Sequence, residues 1–129
     1  FGKCPKIQRG TAHMANASGN DAYYYGQIPM PEVLSAGYHT FAVHWKPTQL
    51  DWYIDGYLFY SLSKSSVGSA QWPFDSTLTG SAPKAYAILN IAMGGNLGGD
   101  VSPSLTSAVM KVDYVRYYSV DGQGTVSLP

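Results

Sequence analysis

The chain has 129 residues, eight basic and eight acidic side chains, and 11 tyrosines. This length can bury the core of one domain, and an apolar fraction of 45% argues against disorder. Zero formal charge without runs of Lys or Arg makes nucleic acid and anionic membrane surfaces poor partners, since both require a concentrated positive field. A neutral polymer fits this charge balance better.

The first predicted strand covers residues 9–14 and has one polar and one apolar face. Alternation places Arg9, Thr11 and His13 on one face, with small apolar residues opposite. One side of this strand should therefore lie on the core, while the other meets solvent or a ligand.

A turn and a tyrosine-rich strand come next. Residues 16–21 are a cluster of Gly, Asn and Ser, and residues 22–26 carry three consecutive tyrosines that predict a strand. A loop broken by prolines follows. The single cysteine, Cys4, leaves no disulfide framework within the chain and is expected to be a free thiol.

Residues 38–60 predict a meander of three strands. Lys46-Pro-Thr-Gln49 and Asp55-Gly56 are the two turn signals between them. Asp51 is expected on a solvated strand face and Asp55 in a turn. The face expected to pack on the core in the first strand comprises His39, Phe41, Val43 and Trp45.

The rest of the chain predicts two further strands. Residues 85–93 form a nearly continuous apolar run, typical of a strand buried on both faces, in which Asn90 is the one strong polar group. The glycine-rich residues 94–100 predict a tight turn, because they lack the spacing of a phosphate loop. Residues 109–119 predict the last strand, and 120–129 a frayed tail.

Together these patterns predict seven or eight short strands with almost no helix. An all-β antiparallel sandwich or barrel is the expected fold. Residues 63–69 are expected to form a loop or one helical turn.

The side chains alone do not complete a catalytic set. Hydrolysis by paired carboxyls needs them about 5 Å apart in retaining glycosidases and about 6.5–9.5 Å apart in inverting ones. Glu32 is the single glutamate, and Asp51 and Asp55 lie about 13 Å apart along an extended strand. The three histidines lack any short spacing typical of metal ligands.

Several phrases, in order and over nearly the whole chain, resemble the C-terminal half of glycoside hydrolase family 16, the laminarinase and lichenase family of β-jelly-roll enzymes. They are Phe1-Gly2-Lys3, Gly10-Thr-Ala-His13, Tyr38-His-Thr-Phe-Ala-Val-His-Trp45, Leu50-Asp-Trp-Tyr-Ile-Asp-Gly56, Leu89-Asn-Ile-Ala-Met-Gly-Gly-Asn96 and Met110-Lys-Val-Asp-Tyr-Val-Arg-Tyr117.

The resemblance implies that the catalytic residues lie outside this chain. In this family the catalytic strand carries Glu-x-Asp-x-x-Glu or a shorter version, and a Gly-Lys turn follows within a couple of residues. Gly2-Lys3 matches that turn, so both glutamates are expected upstream of Phe1 or on a partner chain. We therefore expect residues 1–119 to be the C-terminal half of a single jelly-roll domain, completed by a tightly associated second chain.

The family match also implies a set of substrate-binding residues. Arg9, Thr11 and His13 would follow the catalytic strand and contact sugar hydroxyls or the acid/base glutamate, although Thr11 fits a purely structural bond equally well. Asn90 matches an asparagine that reaches the sugar, and Asn96 lies in the same matched phrase.

Asp113 matches an aspartate near a calcium site in some members. No cofactor is required by the chemistry, and a lone carboxylate falls short of the six or more oxygens that Ca²⁺ takes. Two departures bear on the substrate: His44 stands where many members have an acidic residue, and Leu97 where a tryptophan lines the cleft. Laminarin, mixed-linkage glucan and galactan-type substrates all stay open.

The function implied is hydrolysis of internal β-1,3 or mixed β-1,3-1,4 glucosidic bonds with retention, in a secreted or extracellular β-glucanase. The alternative is a non-catalytic β-glucan-binding or lectin-like module. Two glutamates flanking an aspartate on the catalytic strand would distinguish an enzyme from a binding protein.

Overall fold

The computed structural model describes residues 3–67, 72–74 and 85–122, without the side chain of Leu97. Its strands are β1 (Ile7–Ala15), β2 (Asp21–Pro29), β3 (Phe41–Lys46), β4 (Gln49–Ile54) and β5 (Tyr57–Ser63). Single 3-10 turns cover Leu34–Ala36 and Lys64–Ser66, and α1 is the short helix Gly95–Gly98. The fold is all-β with two antiparallel sheets, as the sequence predicts.

The first sheet is the hairpin of β1 and β2. Its register pairs Ile7 with Pro29 and Ala15 with Asp21. The connecting turn is closed by the side chain of Asn16, whose Oδ1 accepts hydrogen bonds from the backbone N–H of Ser18 and of Asn20, at 2.9 and 3.0 Å. An asparagine that caps its own turn explains why the chain reverses here.

The second sheet is the predicted meander, in the order β3-β4-β5. Pro47 and Thr48 alone separate β3 from β4, and Asp55 and Gly56 separate β4 from β5. Asp55 and Gly56 both have positive φ, 51° and 79°. A two-residue loop with two positive φ angles matches the twist of antiparallel strands. The local sequence Asp55-Gly56 therefore determines this hairpin.

The core lies between the two sheets and draws on β1, β4 and β5. Tyr24 anchors β2 to it by donating its hydroxyl hydrogen to the carbonyl of Val67 at 2.6 Å. Trp72 is fixed by a 2.7 Å hydrogen bond from Nε1 to the carbonyl of Pro47. The buried cluster comprises Ala12, Met14, Leu50, Leu62, Val67 and Trp72.

Two glycines allow the sheets to approach closely. Gly10 and Gly26 are directly paired across β1 and β2. A Cβ added to Gly10 would lie 2.7 Å from Cγ of Trp52, and one added to Gly26 would overlap the ring of Tyr60. Trp52 and Tyr60 are themselves paired and stacked, with ring centroids 5.1 Å apart. The glycine pair therefore forms the surface on which this aromatic pair rests.

Asp51 is buried, so its predicted place on a solvated strand face is wrong. It is 2% exposed, and its carboxylate accepts hydrogen bonds from Lys46 Nζ at 2.8 Å and from Gln49 Nε2 and Ser61 Oγ at 2.6 Å each. Burial alone would raise the pKa of Asp51, but the hydrogen bonds from Lys46, Ser61 and Gln49 outweigh it and hold this pKa below its usual value. Neighbouring donors on all three strands explain how a charge can be buried here.

The predicted core face of β3 is also wrong. Phe41, Val43 and Trp45 are 51%, 54% and 42% exposed. They lie on the same side of the sheet as the core residues of β4, but the hairpin packs on Trp52 of β4 and Tyr60 of β5. In the described residues β3 contributes nothing to the buried cluster. Trp45 is held by a hydrogen bond from Nε1 to the carbonyl of Phe74 at 2.9 Å.

The two later strands predicted at 85–93 and 109–119 do not form in the described residues. Both segments are irregular and exposed throughout, with Tyr86 at 82% and Val109 at 79%. Among the described residues, neither apolar segment has a neighbouring strand in either sheet. The buried setting expected for Asn90 is therefore wrong too, because Asn90 is exposed.

The tight turn predicted at residues 94–100 contains the short helix α1. Gly94 and Gly99 flank α1 with φ of 76° and 75°, a region that glycine adopts at low cost. Of the two structures predicted for residues 63–69, a loop or one helical turn, the second is observed as the 3-10 turn Lys64–Ser66.

Predictions on Phe1, Gly2, Ser69 and residues 123–129 lie outside the described residues. No helix within the described ranges is long and apolar enough to cross a membrane.

We expect Gly26→Ala to lower the free energy of unfolding by about 1–3 kcal/mol, since the new methyl group must displace Tyr60 in a packed layer. Gly37→Ala is the matched control, because Gly37 has extended backbone and nothing lies within 4 Å of an added Cβ. Urea unfolding of both variants provides the measurement. Equal stabilities would contradict the close approach of the sheets.

We expect Asp51→Asn to destabilise the protein by about 1–3 kcal/mol at neutral pH, because the new amide group would face the Lys46 ammonium. Since the folded-state pKa of Asp51 is lowered, its contribution is present above the ordinary aspartate pKa of about 4 and is lost as the pH falls through the lowered value. The difference between variant and wild type in urea unfolding should therefore shrink in acid. Exposed Asp100, replaced by Asn, provides the control.

Candidate functional site

The outer face of the β1–β2 hairpin carries the polar residues that the sequence singled out. Because Gly10, Ala12 and Met14 turn toward the core, their neighbours Arg9, Thr11 and His13 turn away from it. Across the hairpin, these three are paired with Gln27, Tyr25 and Tyr23 respectively. Arg9, Thr11 and His13 are thus brought together on one face, as predicted.

Four planar groups on this face form a continuous line, which we call the aromatic row: Arg9, Tyr25, Tyr23 and His13. The Arg9 guanidinium carbon lies 4.4 Å from the centroid of the Tyr25 ring. The Tyr25 and Tyr23 centroids are 6.3 Å apart with planes inclined by 24°, and Tyr23 lies 5.8 Å from the His13 ring.

Both ends of the aromatic row are held by hydrogen bonds. Arg9 donates from an Nη atom to Oε1 of Gln27 at 3.0 Å. His13 Nδ1 lies 3.2 Å from Oδ1 of Asp21 on β2. The pair of His13 and Asp21 is well exposed, with side chains 64% and 61% accessible, so screening makes it an orienting contact rather than a strong ion pair.

Tyr23 and Tyr25 also lie on this face, although sequence reasoning did not single them out. They are 60% and 48% exposed, whereas Tyr24 between them is half-buried and packs against the core. Alternation in a strand of three tyrosines was the signal available, because it requires Tyr23 and Tyr25 to share the face opposite Tyr24.

The two predicted asparagines lie elsewhere. Asn90 is exposed in the irregular segment 85–93, and Asn96 is exposed on α1. No described contact joins either of them to the aromatic row. The structure therefore groups three of the five predicted binding residues and leaves Asn90 and Asn96 apart from them.

One contact places the glycine-rich turn beside the start of the first hairpin. A Cβ added to Gly99 would lie 3.2 Å from Cγ and from Cε of Lys3. Since Gly99 has positive φ as well, this position suits glycine on two counts. The turn bearing Asn96 thus packs against the residues that lead into β1.

Three carboxylates of the described residues take part in separate contacts. Asp21 faces His13, Asp51 is held by Lys46, and Asp55 accepts from His39 Nδ1 at 2.7 Å and from the Thr40 backbone N–H at 2.9 Å. The hydrogen bond from His39, followed by that from Thr40, holds the pKa of Asp55 below its usual value. None of these contacts joins two carboxyl groups in the arrangement that glycoside hydrolysis uses.

Metal and thiol chemistry find little support among the described residues. Asp113 is exposed, and within the described ranges no group of three His, Cys, Asp or Glu side chains forms a cluster. The calcium ion at Asp113 stays a prediction. Cys4 is a free, exposed cysteine.

Comparison with known proteins identifies the family. The family model described as "Glycosyl hydrolases family 16" matches residues 6–115. The match and the two antiparallel sheets together place the chain in a family of β-sandwich proteins. The chain belongs to glycosyl hydrolase family 16.

Three relatives illustrate the match. The chain is 32% identical over 124 residues to glucan endo-1,3-beta-glucosidase A1 of Niallia circulans, covering 91% of the chain and 18% of that protein. It is 30% identical over 128 residues to a beta-glucanase of Rhodothermus marinus, covering 88% and 40%. It is 30% identical over 87 residues to an endo-1,3-1,4-beta-glycanase of Rhizobium meliloti, covering 67% and 16%. The chain thus spans less than half the length of each.

Proposed function

We propose that this chain forms the glycan-binding part of an endo-β-glucanase that cleaves internal β-1,3 or mixed β-1,3-1,4 glucosidic bonds. The observation that carries the proposal is the outer face of the β1–β2 hairpin, where Arg9, Thr11 and His13 lie together beside exposed tyrosine rings. Aromatic rings and hydrogen-bonding groups on one face are what a polymer of neutral sugars requires.

The charge balance and the relatives support this substrate class. The chain has no net charge, so it lacks the field that an acidic polymer would need. The relatives named above are described as enzymes of β-1,3 or mixed β-1,3-1,4 linkages or as a beta-glucanase.

The proposed reaction is hydrolysis with retention. Two carboxyl groups about 5 Å apart would act, one as nucleophile and the other as acid and then base. Both would be glutamates outside residues 1–129, because Glu32 is the single glutamate here. The chain's own contribution is to bind and orient the sugar through Arg9, Thr11 and His13, with Asn90 and Asn96 joining from the later segments.

Within this scheme, the contact with Asp21 gives His13 a defined role. Because Nδ1 faces the Asp21 carboxylate, Nε2 would be the ring nitrogen that bonds a sugar hydroxyl or the acid/base glutamate. Arg9 is oriented in the same way by Gln27.

We also propose that additional strands cover the exposed apolar segments 85–93 and 109–119, converting them to strands of a complete sandwich. Contiguous exposed apolar patches of this kind mark contact surfaces or aggregation hazards. A second polypeptide carrying the N-terminal half, including the catalytic strand, would supply these strands. In that arrangement residues 1–119 are the C-terminal half of one jelly roll and 120–129 its tail.

Two further features belong to this proposal. A structural calcium ion near Asp113 would need backbone and water oxygens in addition to that carboxylate. A β-glucan polymer lies outside the cell that degrades it, so we propose a secreted or extracellular location.

The second candidate function is a non-catalytic β-glucan-binding or lectin-like module. It would use the same face of Arg9, Thr11 and His13 to bind the glycan and would need no paired carboxyl groups. Release of reducing ends from β-1,3-glucan by the complete natural assembly, with the β-anomer formed first by NMR, would establish the enzyme. Binding without hydrolysis would establish the module.

We expect His13→Ala to lower the hydrolytic turnover of the complete assembly by roughly tenfold or more, since an oriented hydrogen-bonding group in a site contributes on that scale. Tyr57→Ala, at an exposed position of the β4–β5 hairpin, is the control and should leave turnover near wild type. Unchanged kinetics in His13→Ala, with wild-type unfolding behaviour, would assign His13 a structural role only.

We expect the chain expressed by itself to self-associate or to bind a hydrophobic dye strongly, because 85–93 and 109–119 are uncovered. In the natural assembly, size-exclusion chromatography with light scattering should give a mass above the 13.9 kDa of this chain. A lone, dye-silent monomer of that mass would contradict the covering strands.

A further inference from the structure

We propose that Tyr23 and Tyr25 form an additional glycan-binding subsite, one strand outward from Arg9, Thr11 and His13. The two rings would stack on successive sugar units of a neutral polysaccharide. The inference rests on the proposed function, whose face it extends, and it concerns residues outside the predicted binding set.

The exposure of the two rings is imposed by the strand. Tyr24 packs toward the core and donates its hydroxyl hydrogen to the carbonyl of Val67, so alternation directs Tyr23 and Tyr25 outward. They remain 60% and 48% exposed. Single exposed aromatics are ordinary, but adjacent rings in register with hydrogen-bonding groups form a contact surface.

The aromatic row is ordered before any ligand arrives. Gln27 holds Arg9 at one end at 3.0 Å, and Asp21 holds His13 at the other at 3.2 Å. The tyrosine rings lie between these ends with planes inclined by 24°. Because these side chains contact one another already, less rotamer entropy is lost when a ligand binds.

The chemistry of the row suits a sugar chain. Pyranose rings present C–H groups to aromatic rings and hydroxyls to polar neighbours, and the row offers rings together with a guanidinium, an imidazole and two phenol hydroxyls. Asp21, the one carboxylate on this face among the described residues, is already paired with His13. The row therefore favours a neutral, hydroxyl-rich ligand.

The register defines where the subsite lies. Thr11 is paired with Tyr25 and His13 with Tyr23, on strands about 4.8 Å apart. A glycan that crosses the hairpin meets the β1 residues first and the tyrosines next. Longer oligosaccharides should use the tyrosines, while short ones held at β1 should not.

The test measures dissociation constants of the complete natural assembly for β-1,3-linked gluco-oligosaccharides of increasing length, by calorimetry, with hydrolysis followed in parallel. We expect Tyr25→Ala and Tyr23→Ala to weaken binding of long oligosaccharides by about tenfold each and to leave short ones unchanged. In hydrolysis, KM for long substrates should rise while kcat stays constant. Tyr25→Phe should keep most of the affinity, because the ring is preserved.

The control is Tyr57→Ala, since Tyr57 is 65% exposed but lies at the β4–β5 hairpin. Unchanged affinity in both alanine variants at every length would overturn the subsite. Equal losses of affinity for short and long oligosaccharides would also overturn it. If the alanine variants instead lost a copurifying chain while their glycan affinity stayed intact, the rings would be assigned to a protein contact and the subsite would be overturned as well. A wild-type assembly that binds no glucan would instead overturn the proposed function itself.

Discussion

The close approach of the two sheets at Gly10 and Gly26 is the constraint on which the described structure depends. With no Cβ at either position, the stacked rings of Trp52 and Tyr60 lie directly on the backbone of the hairpin. Packed interiors tolerate little change in volume, so this contact fixes both the separation of the layers and the position of the hairpin over β4 and β5. The neighbouring core residues Ala12 and Met14 are small or adaptable and pack around it.

Fixing the inner face of β1 also fixes its outer face. Side chains alternate with a period of two, so a shift of one residue would bury Arg9, Thr11 and His13 and expose the apolar set. The glycine contact therefore orients the polar face as well as the core. In the same way, the inward place of Tyr24 determines that Tyr23 and Tyr25 lie outward. The site is thus a consequence of packing on the opposite side of the hairpin.

The sequence predicts best what local chemistry decides. The β4–β5 turn follows from Asp55-Gly56, and the polar face of β1 follows from alternation. Segments 85–93 and 109–119 were predicted as strands because their composition is apolar, but a strand also needs a neighbour with which to form hydrogen bonds. The predicted exposure of Asp51 is wrong for a related reason. Its three hydrogen-bond donors come from three strands, and strand pairing cannot be read from one local pattern.

The proposed covering strands would account both for the exposed apolar segments and for the lack of paired carboxyl groups among the described residues. In the described residues β1 pairs with β2 alone, so its other edge is open. A strand added there would lie about 4.8 Å from β1, with its outward side chains beside Arg9, Thr11 and His13. Carboxylates on that strand would meet the sugar held by those residues. The strands that accompany it in a complete sandwich would give 85–93 and 109–119 the neighbours that they lack.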